Sequence, residues 1–322
     1  MSSFRLTVPG NLLLAGEYAV LEEGGLGAAL AVEPRLSVTV FPSEEWQIIG
    51  RWVGGQELWS PEDTAPPPFA GMAFLKALEL LEERRDERQR RWSRRIPTAR
   101  IELDSSAFFD PRGRKLGFGS SAALAVGLTA ALARLAGQDD SDSLHQAAVA
   151  AHRHAQGGAG SGYDVTVSWF GGFGLFVGGA RPHWHPAAPG GLPALAVFAG
   201  PEVVRTVGSI ARYRRWKAES PGAAGDFLDA SNAAVGALVA AKNLDALTQA
   251  WQQARALGLE LGGTIGSPAE LEVPPGLDPQ TFVKALGAGN ETGVAAFGAG
   301  LPSPLPPGLT ALIPSRDGVR WE

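Results

Sequence analysis

In LSVTVF, residues 36–41, apolar and polar side chains alternate with a period of two, which predicts a half-buried strand. Apolar content around it extends the strand over 27–42, and FRLTV at 4–8 predicts another. EEWQIIGRWVGGQELWS continues in short strand-like pieces, and TARIELDSSAF, from Thr98, reads as a further strand. Between them, residues 59–68 hold four prolines and read as turns. The period changes in AGMAFLKALELLEE, from Ala70, which predicts an amphipathic helix running into the arginine-rich RRDERQRRWSRR. The Ala, Leu and Val run after Ser121 predicts a buried helix, and a second follows over 142–156, with cap candidates at Asp140 to Ser143. GYDVTVSWFGGFGLFVGG reads as strand from its β-branched and aromatic content, and RPHWHPAAPGGLP as a domain junction. The rest predicts a strand in ALAVFAG, helices near 208–219, 224–241 and 243–262, and a glycine loop at 287–293. There is no internal repeat. Strands and helices mix without regular βαβ alternation, so the fold class is α+β.

A length of 322 residues suggests two domains, and 45% hydrophobic residues supply a full core. A formal charge of -5 argues against a nucleic-acid binder. The absence of cysteine excludes disulfides, cysteine zinc sites and thiol catalysis. MSSFRLTVPGN does not have the pattern of a secretory leader, and no apolar run has the character of a membrane span. The expectation is a cytoplasmic protein that binds no membrane.

The chemistry concentrates in KLGFGSSAALAVGLTAALARLAG, from Lys115. Gly117 and Gly119, flanking Phe118, permit torsions and close approaches that a Cβ forbids. Ser120 or Ser121 can cap the following helix, whose N-terminal amides suit an anion. Ala122 and Ala123 leave room for a polyphosphate, Lys115 adds a full charge, and the Ser121 hydroxyl could ligate Mg²⁺. A capped, packed helix after an ordinary glycine turn explains the same residues without a ligand. A Walker loop is excluded, because the chain has no Gly-Lys dipeptide. GFGSSA formally matches a dinucleotide fingerprint, but PRGRK precedes it where a strand is needed. Asp139 and Asp140 follow the helix directly, with no second strand between.

Two further stretches join this loop: VPGNLLLAGEYAVLEEGGLGAALAV from Val8, and HAQGGAGSGYDVTVSWFGG from His154. With KLGFGSSAA they resemble the GHMP kinases, and within that family the phosphomevalonate kinases, over most of residues 5–180. The resemblance implies a two-domain GHMP kinase fold. Residues 1–187 would form the ATP-binding domain, like the second domain of ribosomal protein S5 and with a left-handed βαβ crossover. Residues 188–322 would form a ferredoxin-like domain. It also implies ATP and Mg²⁺ as cofactors, and γ-phosphoryl transfer to the phosphate of 5-phosphomevalonate. A monomer or homodimer with a small phosphorylated substrate and no nucleic-acid partner is expected.

Residue by residue, the resemblance makes Lys115 a charge clamp. Gly117, Phe118, Gly119, Ser120, Ser121 and Ala122 match the ATP loop, with Ser121 also the metal contact. Asp164 matches the acid of the catalytic centre, beside Ser161 and Gly162 on the substrate side. Glu17 and Tyr18 would edge the substrate pocket, and Ser209 and Arg212 match a substrate-contacting helix start. Gly287, Ala288 and Gly289 match the third glycine motif.

The sequence departs from the family pattern at three places. Asn11 replaces the Lys of Pro-Gly-Lys at a substrate-binding position, Gly158 stands where another Lys is frequent, and the third motif continues as Asn290, Glu291 and Thr292. Two cations are lost near phosphates. Compensating charge could come from the seven arginines between Arg84 and Arg95, or from Arg205, Arg212, Arg214, Arg215 and Lys217. Both groups also read as solvated helix faces. Two readings stay open beside the first: a sister kinase acting on mevalonate or another small alcohol, and a kinase fold that binds without turnover. His152 and His154 lie two apart on a helix and so not on one face; a strand could bring His183 and His185 together, but RPHWHP is bounded by prolines; no H-E-x-x-H is present, and the nine tryptophans read as packing residues.

Overall fold

The structure is a computed structural model that describes residues 2–85, 95–110, 112–158, 160–188, 192–200, 206–279, 281–287 and 289–322. Residues 86–94 of the arginine run, with Trp92, as well as Arg205 and Ala288, lie outside the described residues. Two compact units divide the chain. The first comprises Met1–Asn11, Ala31–Gly172 and Ser315–Glu322, and the second Leu12–Leu30 and Phe173–Pro314. They interleave along the sequence. The reason is two long strands, β1 (Phe4–Ala15) and β2 (Leu26–Pro42), whose ends belong to different units.

In the first unit, β2 pairs antiparallel with β5 (Ala99–Asp104), with Ser37 opposite Asp104 and Pro42 opposite Ala99. β5 runs parallel to β3 (Gln47–Trp52), which forms a hairpin with β4 (Gly55–Trp59). The start of β1 pairs with β13 (Arg320–Trp321). Among the described residues its α-helices are α1 (Phe69–Glu83), α2 (Ser120–Ala136), α3 (Ser141–Ala155) and α4 (Tyr163–Phe170). The core helix is α2, small-residue-rich and buried on nearly every side. A Cβ on Gly127 would lie 2.7 Å from Val38, so α2 reaches β2 only because that residue has no side chain. Arg35 ties the C-terminal segment to this unit, donating to Thr7, the Ser315 hydroxyl and the Asp317 carbonyl.

In the second unit, Leu26–Leu30 of β2 pairs with β6 (Phe173–Val177), which pairs in turn with β7 (His183–Ala187). Four further strands form an antiparallel sheet in the order β11-β8-β10-β9. They are β8 (Ala194–Ala199), β9 (Phe282–Leu286), β10 (Thr292–Phe297) and β11 (Leu309–Ala311), and the short β12 (Ile313–Pro314) follows. Between β8 and β9 come α5 (Thr206–Glu219), α6 (Pro221–Ala240) and α7 (Leu244–Ile265). This is an α+β fold, as expected. The connection from β10 to β11 carries prolines at 302, 304, 306 and 307 and forms no helix.

Several local expectations are corrected. β1 continues through Pro9 and Gly10 to Ala15, because from Leu6 onward it is buried on both faces and shows no alternation. YDVTVSWF is helix α4, entered through Gly162 in the left-handed region (φ 84), although its composition favours a strand. The supposed junction RPHWHP contains β7, an edge strand, where proline is tolerated. The cap of α2 is Gly119 (φ 71), so Ser120 and Ser121 occupy its first turn, with no side-chain cap bond. Ala122 and Ala123 are fully buried and pack into the core. Among the tryptophans, Trp251 is buried, whereas Trp321 and Trp52 are exposed.

Candidate active site

The glycine loop is held from beneath by backbone bonds. Asn11 N–H donates to the Phe118 carbonyl at 3.0 Å, and Leu116 N–H to the Phe108 carbonyl at 2.9 Å. The buried Phe118 ring anchors the loop, while Gly117 (φ 79) and Gly119 turn the chain back. The first helical bond of α2 runs from Ala123 N–H to the Gly119 carbonyl. The amides of Ser120, Ser121 and Ala122 therefore precede the helical ladder, at the positive end of a 17-residue helix. Lys115 is exposed on the approach to this loop and forms no ion pair among the described residues.

Asn11 is 2% exposed and donates from Nδ2 to the Ser168 hydroxyl at 3.0 Å. A Cβ on Gly119 would fall 2.2 Å from that same Nδ2, so the Asn11 amide lies packed directly against the loop backbone. Where the family pattern has a cation, this chain has a neutral strut.

Asp164 stands in the first turn of α4, accepts Val165 N–H at 2.9 Å, and has a side chain 21% exposed. Its Oδ2 lies 3.6 Å from Nε2 of His152, and that nitrogen lies 3.4 Å from the Ser121 hydroxyl. The loop between α3 and α4 is clamped by Arg153, which donates to the carbonyls of Gly160 and Ser161 at 3.0 and 2.6 Å. Burial lowers the Arg153 pKa, and the Asp164 carboxylate opposes that shift. Ser161 is buried and accepts Tyr163 N–H at 3.3 Å. Gly158 (φ 84) has open space where a Cβ would be.

In the second unit, Glu17 forms a buried ion pair with Lys284, whose Nζ also donates to the Ala285 carbonyl at 2.8 Å. Tyr18 has a positive φ of 64, the one such non-glycine residue among those described. Burial raises its pKa, while hydrogen bonds to Ser267 and Ser209 and the nearby Arg212 charge oppose that shift. The Ser209 and Ser267 hydroxyls are 2.8 Å apart, and Arg212 donates to Ser209 at 3.0 Å. Glu17, Tyr18, Arg255, Ser267, Lys284 and Gly287 border a cavity of about 20 Å³, room for one water. Beyond Gly289, Asn290 turns inward to donate to the Glu270 carbonyl at 3.3 Å, and the Glu291 side chain is exposed.

The predicted residues thus gather as two groups: Lys115, the loop, Ser121, Asp164 and Asn11 in the first unit; Glu17, Tyr18, Ser209, Arg212, Gly287 and Gly289 in the second. Sequence reasoning missed His152, Arg153, Ser267 and Lys284. Lys284 left a trace, since a lysine inside the apolar FVKAL requires a buried partner. Oxygen donors at Ser121 and Asp164 suit Mg²⁺, which takes few protein ligands and completes its shell with phosphates and water.

Amides outside the helical ladder at a helix start, an exposed lysine just before the loop, and a hydroxyl and a carboxylate that both face His152 make up the candidate site. The family model for the GHMP kinases N terminal domain matches residues 73–172. A mevalonate kinase of Archaeoglobus fulgidus is 30% identical over 321 residues, covering 98% of this chain and 99% of that kinase. A phosphomevalonate kinase of Streptomyces sp. (strain CL190) is 30% identical over 182 residues, or 51% of this chain; the match spans about half of that kinase, 47%. The structure of Streptococcus pneumoniae phosphomevalonate kinase in complex with phosphomevalonate and AMPPNP shares the fold, with a TM-score of 0.70. It is 18% identical and covers 90% of this chain and 91% of that one. The chain belongs to the GHMP kinase family, and phosphomevalonate kinases are among its relatives, as the three motifs implied.

Proposed function

We propose that this kinase uses ATP and Mg²⁺ to phosphorylate the phosphate of 5-phosphomevalonate, giving the 5-diphosphate. The observation that carries the reading is the unladdered amide group of Ser120–Ala122 behind the αL Gly119, with Ser121 and Asp164 both turned to one buried ring. Such transfers need little covalent help, and positioning with charge neutralisation dominates. The loop amides would receive the donor phosphates, and Lys115 would neutralise charge as the bond to the leaving ADP lengthens. Mg²⁺, when bound, supplies charge screening between the phosphates, and Ser121 and Asp164 are the residues to hold it. The acceptor phosphate oxygen is already a nucleophile at pH 7, so Asp164 orients substrate or cation and removes no proton. For the acceptor we assign Ser161 and Gly162 in the first unit; in the second, Glu17, Tyr18, Ser209 and Arg212, with Gly287 and Gly289, carry the substrate-side motifs of the family resemblance. Asn11 acts on the acceptor indirectly, through the loop it supports.

A second reading, mevalonate as acceptor, is favoured by the full-length similarity to the Archaeoglobus enzyme. Asp164 would then have to act on a neutral hydroxyl. ADP release with ATP, Mg²⁺ and each acceptor in parallel separates the two. Turnover that needs the phosphorylated acceptor and is lost in Lys115→Ala supports the first. Turnover on mevalonate alone supports the second. Silence in both, from protein that still binds ATP, supports a binding protein without turnover.

A further inference from the structure

We propose that His152 is a positioning residue, held in the Nε2–H tautomer, that orients the Asp164 carboxylate and the Ser121 hydroxyl together. The role rests on the kinase reading above. His152 lies on α3 with 1% of its side chain exposed, and its ring packs edge-on to Phe69 with centroids 5.7 Å apart. Nε2 faces three groups: the Gln156 amide at 3.2 Å, Ser121 Oγ at 3.4 Å and Asp164 Oδ2 at 3.6 Å. Nδ1 is buried without a hydrogen-bond partner.

These contacts decide where the proton sits. A proton on Nδ1 would be a buried orphan donor, which folded proteins rarely tolerate. It would also turn the Nε2 lone pair toward a carboxylate, and the two would repel. With the proton on Nε2, the orphan is an acceptor, and the N–H faces the Ser121 hydroxyl at 3.4 Å, with the Asp164 carboxylate beside it at 3.6 Å. The Gln156 amide can present its oxygen to the same N–H, because a glutamine amide offers either atom by rotation. The distances to Ser121 and Asp164 are long for hydrogen bonds, and such contacts tighten when substrate completes the site. The ring itself is shielded by Phe69 and α3, so it reaches the reaction only through these two residues.

The test has two arms. In a two-bond ¹H–¹⁵N spectrum of the full-length chain labelled at its five histidines, His152 is assigned by its loss in His152→Gln. The proposal expects the Nε2–H pattern with an unprotonated Nδ1, and a shift of that signal in Asp164→Asn. A proton on Nδ1, alone or in addition, overturns it. In the kinetic arm, His152→Leu should lower kcat about 10- to 100-fold through misplaced groups. The nucleotide KM should stay near its starting value, and His152→Gln, which keeps a donor, should recover most of the loss. Equal loss in Leu and Gln variants, or a change in KM alone, overturns the positioning role. Wild-type protein that transfers no phosphoryl group refutes the kinase reading instead, and the spectrum still decides the tautomer.

Discussion

Replacing Gly119 by alanine should damage the protein in two separable ways. At φ 71 an alanine pays the left-handed backbone cost, about 1 kcal/mol. The new methyl would also stand 2.2 Å from Asn11 Nδ2 and 2.6 Å from its Cγ and Oδ1. Asn11 cannot swing away cheaply, because it is buried and bonded to Ser168. Overpacking of this kind adds about 1–3 kcal/mol, for a total of about 2–4 kcal/mol. Gly137 supplies the control: it has φ 67 at the other end of the same helix, and its Cβ would meet nothing within 4 Å. Gly137→Ala should therefore show the backbone cost alone. Urea unfolding of both variants, followed by tryptophan fluorescence, gives the difference, expected at about 1–3 kcal/mol. Stabilities within about 0.5 kcal/mol of each other would refute the packing of Asn11 against the loop.

Lys115→Ala should leave the fold intact, since Lys115 is exposed, and lower phosphoryl transfer about 10- to 100-fold by losing a charged contact of about 1.5–3 kcal/mol, read as kcat/KM for ATP. Glu17→Gln should destabilise by about 3–5 kcal/mol, measured by urea unfolding, because it leaves a lysine that is 3% exposed without its countercharge, and replacing both Glu17 and Lys284 by apolar residues should recover much of that stability. Tyr213 has its pKa raised by burial first and then by the Glu22 charge, so it stays protonated in the folded chain at pH values where an unfolded tyrosine ionises. Its contribution is complete below the ordinary tyrosine pKa of 10.0 and is lost as pH rises above that, so Tyr213→Phe should flatten the alkaline limb of a stability–pH curve and leave the acid limb unchanged.

The glycine loop was legible because torsional freedom, a small-residue run and a lysine lie within a few positions of one another. The strand at 27–42 was legible because alternation over several residues has one structural meaning. α4 was not: eight residues are too few to display a helical period, and what makes them helical is the turn at Gly162 and packing against α2 and α3. The end of β1 was hidden by its own burial, since a strand covered on both faces reads as an apolar run. The site divides the same way. Lys115, Ser121 and Asp164 stand out through local motifs, whereas His152 sits in no motif, and its spacing along the helix excludes a metal pair without pointing to any other role. Its partners lie 31 residues before it and 12 after it, and only folding brings them to one nitrogen. Asn11 looked like a lost cation in sequence, and the buried amide shows what replaced it: support for the loop from below.

The proposed reaction makes a phosphate oxygen, and no hydroxyl, the phosphoryl acceptor. Phosphorus NMR of the reaction mixture after incubation of the full chain with ATP, Mg²⁺ and 5-phosphomevalonate tests it directly. Coupled doublets of a new diphosphate should grow alongside those of ADP, with no product from mevalonate under the same conditions. A single new phosphomonoester signal from mevalonate, with 5-phosphomevalonate unchanged, would contradict it.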